Sequence, residues 1–440
     1  MGNLGRLTTL TAVLLILAGA AAFFSSTGLF SGADDSDAGS IVAVDSPTDR
    51  DVFRLQQRVA TTPHDLTTLN GLGFAYLQKA RESGDPAFYS KADGIFQQAL
   101  AADSRHPSAL LGASAVALAR HDFEQALDWA ERALVSDPDD PDANGALGDA
   151  LIEMGRYQET LDAFQKMVDA RPDLNAYVRV AYARELHGDI GGAIEAMRLA
   201  VGASRPTGET AAWVRSQLAH LYFNTNALDV AESQYEAALD TFPGYVHALA
   251  GLARVAAARG DYDKAIELYT EVIARQPIVE YVTALGDLYR AASRGEEAQR
   301  QYDLVTAIDS LYRANGIDTG LETALFLADH DIRIDEAIVQ ASAVYEARPG
   351  SIRAADVLAW VLYKAGSYDQ ALAYSKEALR LGTQDPLLLY HAGMINYRAG
   401  NREAAGDYLS RALEINPGFS VLYSEEAANT LQKLRSAVSE

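Results

Sequence analysis

The chain has 440 residues, 49% of them hydrophobic, and a formal net charge of −23 from 60 acidic and 37 basic residues. It contains no cysteine, which excludes disulfides, thiolate zinc sites, iron–sulfur clusters and cysteine nucleophiles. The acidic balance repels phosphate backbones, so nucleic acid is not expected among its partners.

After MGNLGR, the run from Leu7 to Phe30 carries no charge. As a helix it extends roughly 36 Å, enough to cross a hydrocarbon core. Residues 1–30 are therefore expected to be a transmembrane anchor or a signal sequence. Ala20-Ala21-Ala22 and Ser31-Gly32-Ala33 both offer small residues for a signal peptidase, so cleavage stays open. Arg6 precedes the run and Asp34, Asp35 and Asp37 follow it. That bias keeps the N-terminus in the cytoplasm and the rest outside. The expectation is a single-pass membrane protein with an extracytoplasmic body, or a secreted or periplasmic protein after cleavage. Residues 31–50, rich in Ser, Asp and Gly, read as a disordered acidic tether. From Asp51, DVFRLQQRVATTP reads as a short amphipathic helix stopped by Pro63.

From there to Phe419 the pattern is helical and recurrent. GRYQETLDAFQKMVDARP, from Gly155, returns as GDYDKAIELYTEVIARQP from Gly260 and as GSYDQALAYSKEALRLGT from Gly366. Size and spacing are kept while chemical character is not. One full copy sets Leu147-Gly148 ahead of Gly155, then Thr160, Phe164 and Pro172. The same slots hold Leu218-Ala219, Ala231, Tyr235 and Pro243, and again Leu285-Gly286, Ala298 and Tyr302. With a period of about 34 residues, this pattern resembles the tetratricopeptide repeat.

The resemblance covers about 350 residues in about ten units. It implies an all-α, right-handed superhelical solenoid of helix pairs over 51–419, closed by a capping helix within 420–440. In such a stack the small slots (Gly148, Ala265, Gly286, Ala371) lie where helix axes come closest. The bulky slots (Tyr157, Phe164, Tyr262, Tyr269) fill the wedge between pairs. Three joints depart from the register. ARESGDPAFYSKA lengthens the first pair around Gly84-Asp85-Pro86, ASRPTGETAA adds a loop, and DSLYRANGIDTG shifts the phase.

Sharper motifs have plainer readings. DPDANG, from Asp140, opens like a calcium loop, but Leu151 stands where the bidentate Glu is needed. Arg259-Gly260-Asp261 falls on an ordinary inter-helix turn. Asp329-His330-Asp331 sits at a helix end, where neighbouring side chains diverge. No nucleophile, phosphate-loop or paired-histidine motif is present, so neither an enzyme nor a bound cofactor or metal is expected.

What remains is binding. By the resemblance, the first helix of each pair lines the concave side, where extended peptides or partner helices dock. The family's chaperone-tail clamp of Lys and Asn is not reproduced, since Asn70 and Phe74 occupy those slots. Mapped here, the lining positions include Tyr182, His220 and Arg254 in the middle units. In the last two they are Arg353, Trp360, Tyr363, Lys364, Tyr390, Tyr397 and Arg398. Aromatic rings beside basic groups suit an acidic or carboxylate-ended protein or peptide partner. The competing reading has the helix after Phe419 fold over these rings as a cap. The expected function is an extracytoplasmic, membrane-tethered scaffold for protein interaction. The alternative is an assembly or transport component, of the polysaccharide-export or pilus-biogenesis type, that guides a polymer.

Overall fold

The computed structural model of the protein describes residues 46–382 and 384–436. The apolar run at 7–30 and the tether up to residue 45 lie outside them. Among the described residues there are 22 helices and no strand, and no helix is long and apolar enough to cross a membrane.

Helix α1 spans Pro47–Thr61, starting ahead of the expected Asp51. The cause is a capping box that the hydrophobic pattern did not reveal. Ser46 Oγ accepts from the Asp49 N–H at 3.1 Å, and the Asp49 carboxylate accepts from the Ser46 N–H at 3.1 Å. Pro47 then supplies a first-turn residue that needs no N–H partner.

Ten antiparallel pairs follow. They are α2 (Leu66–Ser83) with α3 (Ala87–Ala102), α4 (Pro107–Ala119) with α5 (Phe123–Leu134), and α6 (Pro141–Glu153) with α7 (Tyr157–Ala170). Next come α8 (Leu174–Leu186) with α9 (Ile190–Ala203), α10 (Glu209–Asn224) with α11 (Leu228–Thr241), and α12 (Val246–Ala258) with α13 (Tyr262–Arg275). The last four are α14 (Val279–Ala291) with α15 (Gly295–Ala314), α16 (Gly320–Asp329) with α17 (Ile334–Ala347), α18 (Ile352–Lys364) with α19 (Tyr368–Ala378), and α20 (Pro386–Arg398) with α21 (Arg402–Ile415). Helix α22 (Ser424–Ser436) closes the stack. The first pair is lengthened on both sides of its turn, as its extra residues imply. The phase shift near residue 315 is absorbed by an overlong α15 and a short α16.

Aspartates start many of these helices. Asp122, Asp140, Asp173, Asp189 and Asp261 each accept a first-turn N–H, satisfying a donor that has no partner within the helix. The first helix of each pair is buried nearly all round, whereas the second buries one stripe and forms the outer wall. The small slots are sterically enforced. A Cβ added to Gly148 would lie 2.2 Å from the Phe164 ring, and one added to Gly286 would lie 2.4 Å from the Tyr302 ring.

Each pair turns through a left-handed residue, the eighth through two, Asp331 and Arg333. Gly155 takes this role at φ +76°, but where the repeat lacks Gly the backbone still demands it. His121, Asn226, Ser293 and Asp331 adopt φ of 62°, 59°, 60° and 55°. Those four accept a conformation that disfavours a Cβ.

These turns also join the superhelix to itself. The turn of the second pair meets the start of the eighth: the Asp318 N–H donates to Arg120 O at 3.0 Å, and His121 Nδ1 lies 2.6 Å from Asp318 O. The turn of the third meets the start of the ninth. A Cβ on Gly155 would fall 1.8 Å from the Gly350 carbonyl carbon, and the Ile352 N–H donates to Tyr157 Oη at 3.0 Å. Gly84 of the first pair abuts Gln276, just before the seventh. Asn416, just after the tenth, donates to Phe223 O of the fifth at 2.9 Å. The superhelix thus completes a turn in about six pairs, and consecutive turns lie in van der Waals contact.

Candidate functional site

Closure of the turns redistributes the residues that the repeat register assigns to a lining role. Tyr182, His220, Arg254 and Arg353 lie in the interior. Tyr182 Oη donates to Glu153 at 3.2 Å. Arg254 donates to His220 Nδ1 at 2.8 Å and stacks its guanidinium 4.3 Å from the Phe223 ring centroid. Arg353 is half-buried, and its Nη1 is enclosed without a hydrogen-bond partner.

The aromatic residues of the last two pairs split into two sets. Trp360 and Tyr390 are 1% and 0% exposed, so they offer no face to a partner, contrary to the lining role expected of them. Tyr423 and α22 cover them. The Trp360 indole stacks on His391 at 4.1 Å and donates to Asp329 Oδ1 at 2.8 Å. Tyr390 stacks on Tyr423 at 4.8 Å and donates to Glu426 at 2.7 Å. Burial pushes the Asp329 carboxyl above its usual range, opposed by nearby His391 and the Tyr423 and Trp360 donors. Terminal units of a solenoid expose an apolar joint that must be covered, and these rings fill it.

Tyr363, Lys364, Tyr397 and Arg398 stay at the surface, half-buried or exposed. They sit at the C-terminal ends of α18 and α20, on the turns of the ninth and tenth pairs. Tyr368, missed by the sequence reading because it occupies a packing slot, completes the patch. Its ring lies 5.9 Å from that of Tyr363 and carries the Arg398 guanidinium at 4.9 Å. Lys364 pairs with the exposed Asp331 at 3.0 Å.

The interior is not filled. A cavity of about 120 Å³ is bounded by the turn of the first pair, the starts of α10 and α14, and the loop from α15 to α16. A second, of about 240 Å³, lies toward Asn416. Glu280 borders both. Burial raises its carboxyl to about 7, against the pull of Arg254 and Arg353, with Glu322 adding to the rise. Burial alone lowers neighbouring His247 to about 4, so its ring is neutral near pH 7.

The other sequence motifs resolve into structure. Asp140 caps α6, and Asn144 bonds Pro138 O and Asp140 O from within that helix. Asp261 caps α13. Asp329 and His330 turn to different partners, His330 Nε2 meeting Asp287 at 2.8 Å. Among the described residues no group of His, Asp or Glu is arranged to hold a metal ion.

Stacked helix pairs with small residues at each crossing define a repeat solenoid. The chain belongs to the tetratricopeptide repeat family: the family's profile matches residues 77–141, 146–209, 216–277 and 357–418, more than half of its length. No curated protein sequence matches it. Among solved structures it is similar to the human IFIT1 dimer with PPP-AAAA, at 14% identity over 83% of this chain and 86% of that one, with a TM-score of 0.47. It is similar to the APC/C hetero-tetramer Cut9–Hcn1 at 14% identity over 87% and 92%, TM-score 0.37. It is also similar to YrrB, a TPR protein with an unusual peptide-binding site, at 21% identity over 41% and 92%, TM-score 0.29.

Proposed function

We propose that the chain is a membrane-tethered interaction scaffold acting outside the cytoplasm, and that it captures a protein partner on the turns of its last two pairs. The observation that carries this reading is the free rim. The turns of the first three pairs are met by the next turn of the superhelix, whereas those of the ninth and tenth present Tyr363, Tyr368, Tyr397 and Arg398 together, half-buried or exposed. Aromatic rings beside a guanidinium fit an acidic or carboxylate-ended peptide. The uncharged run after Arg6 and the aspartates beyond it support the anchor and its orientation. A polymer-guiding role calls for an open trough with aromatics along its length, and the stacked turns argue against it.

The test is a photo-crosslinking amino acid at Tyr397, with a matched control at Lys264, in intact cells, combined with protease added outside spheroplasts. The reading requires a discrete adduct from position 397 alone and cleavage of the repeats by external protease. Equal labelling at both positions, or repeats protected together with cytoplasmic markers, refutes it.

A further inference from the structure

We infer that the smaller interior cavity is a binding site for a small organic cation, an alkylammonium or guanidinium group, independent of the rim. Its volume of about 120 Å³ far exceeds the 10–15 Å³ that a single water needs, and leaves room for a short chain of carbon atoms. Trp213 and Tyr245, 4% and 5% exposed, and Tyr312 contribute aromatic walls. Glu209, Glu280 and Glu322 border the same space.

Two buried acceptors on this wall lack a donor. Gln276 is 2% exposed and its Oε1 has no hydrogen-bond partner; Glu322 Oε2 is likewise enclosed without one. A buried acceptor left unpaired is costly, and native proteins pair nearly all of them. Each of these two acceptors calls for a donor. Two donors on the wall are engaged with other acceptors. Tyr245 Oη donates to Glu209 at 3.2 Å, and Arg81 donates to Gln78. Neutral His247 adds no positive charge. Rings with a negative π face, carboxylates and orphaned acceptors together select a ligand that is positive, donates hydrogen bonds and carries an apolar stem. Such a group comes either as a free amine or as a basic side chain entering from a peptide.

The experiment titrates the full-length chain with n-butylammonium, n-butanol and butyrate, read by calorimetry and by saturation-transfer NMR on the butyl protons. A peptide with one lysine, acetyl-Gly-Gly-Lys-Gly-Gly-amide, separates the two sources. n-Butylammonium should bind one per chain, at least tenfold tighter than n-butanol or butyrate. Glu322→Gln and Glu280→Gln should each weaken it at least tenfold, with Glu267→Gln unchanged. Binding of the amine without the peptide identifies a free ligand; binding of both identifies a side-chain pocket. Equal binding of amine and alcohol by the native protein, no saturable binding of the amine, or unchanged affinity in a folded Glu322→Gln variant overturns the inference. The comparison of amine with alcohol needs no substitution, so it decides the matter even if a variant does not fold.

Discussion

Gly155 and Gly350 meet backbone against backbone across the superhelix, so closely that a Cβ on Gly155 would lie 1.8 Å from the Gly350 carbonyl carbon. Gly155 thus meets two demands, a left-handed φ of 76° and contact with the next turn. Gly366 meets only the first: its φ is 79° and nothing lies within 4 Å of its added Cβ. Gly366→Ala should destabilise by about 1 kcal/mol from backbone conformation alone. Gly155→Ala should lose a further 1–3 kcal/mol or so from overpacking. Urea unfolding of both variants measures the difference, and equal midpoints would mean that the turns do not touch.

Ser293 offers the opposite test. It is exposed and held at φ 60°, where Gly carries no Cβ penalty. Ser293→Gly should raise stability by about 0.5–1 kcal/mol, visible as a higher thermal midpoint.

The repeat was legible because steric necessity enforces it: Phe164 leaves no space for anything but Gly at position 148, and such constraints recur with the period. The stacking of turns was not legible. Its contacts run through backbone groups, such as the Asp318 N–H on Arg120 O, or through pairs as unrelated in sequence as Tyr157 and Ile352. Mapping ligand positions onto an open superhelix consequently placed Tyr182 and Arg254 on a groove that is an enclosed interior here. Trp360 looked free because the register has no slot for a ring there; its partners, Asp329 and Tyr423, come from another pair and from the approach to the capping helix.

Burial separates the C-terminal rings energetically. Trp360→Ala should cost about 3–5 kcal/mol, the usual range for a large core aromatic. Half-buried Tyr397→Ala should stay within about 1 kcal/mol and, under the proposed function, abolish partner capture. Denaturation and crosslinking of the two variants check both halves. Similar stability losses would remove the distinction between cap and rim.

Two interior groups titrate with opposite consequences. His247 is depressed from 6.5 to about 4, so its contribution is present above pH 6.5 and is lost as pH falls toward 4. Glu280 is raised from 4.5 to about 7, so its contribution is present below pH 4.5 and is lost as pH rises through 7. Between pH 7 and 5 the two offset each other in the native protein. Relative to it, His247→Gln should gain about 1–2 kcal/mol on acidification, and Glu280→Gln should lose about as much. Urea midpoints at both pH values test the signs; parallel behaviour of the three proteins would place both groups in water.

Closure of the superhelix is tested most directly by hydrogen exchange at one amide. Ile352 is the first residue of α18, where an N–H has no intrahelical acceptor; its partner is Tyr157 Oη, 3.0 Å away on the preceding turn. Residue-resolved exchange should show this amide protected by more than about 100-fold, with protection falling at least tenfold in Tyr157→Phe while the Leu358 amide, mid-helix, is unchanged. An Ile352 amide that exchanges as fast as a free first-turn amide in the native protein, beside a protected Leu358, would mean that the turns stand apart and the groove is open.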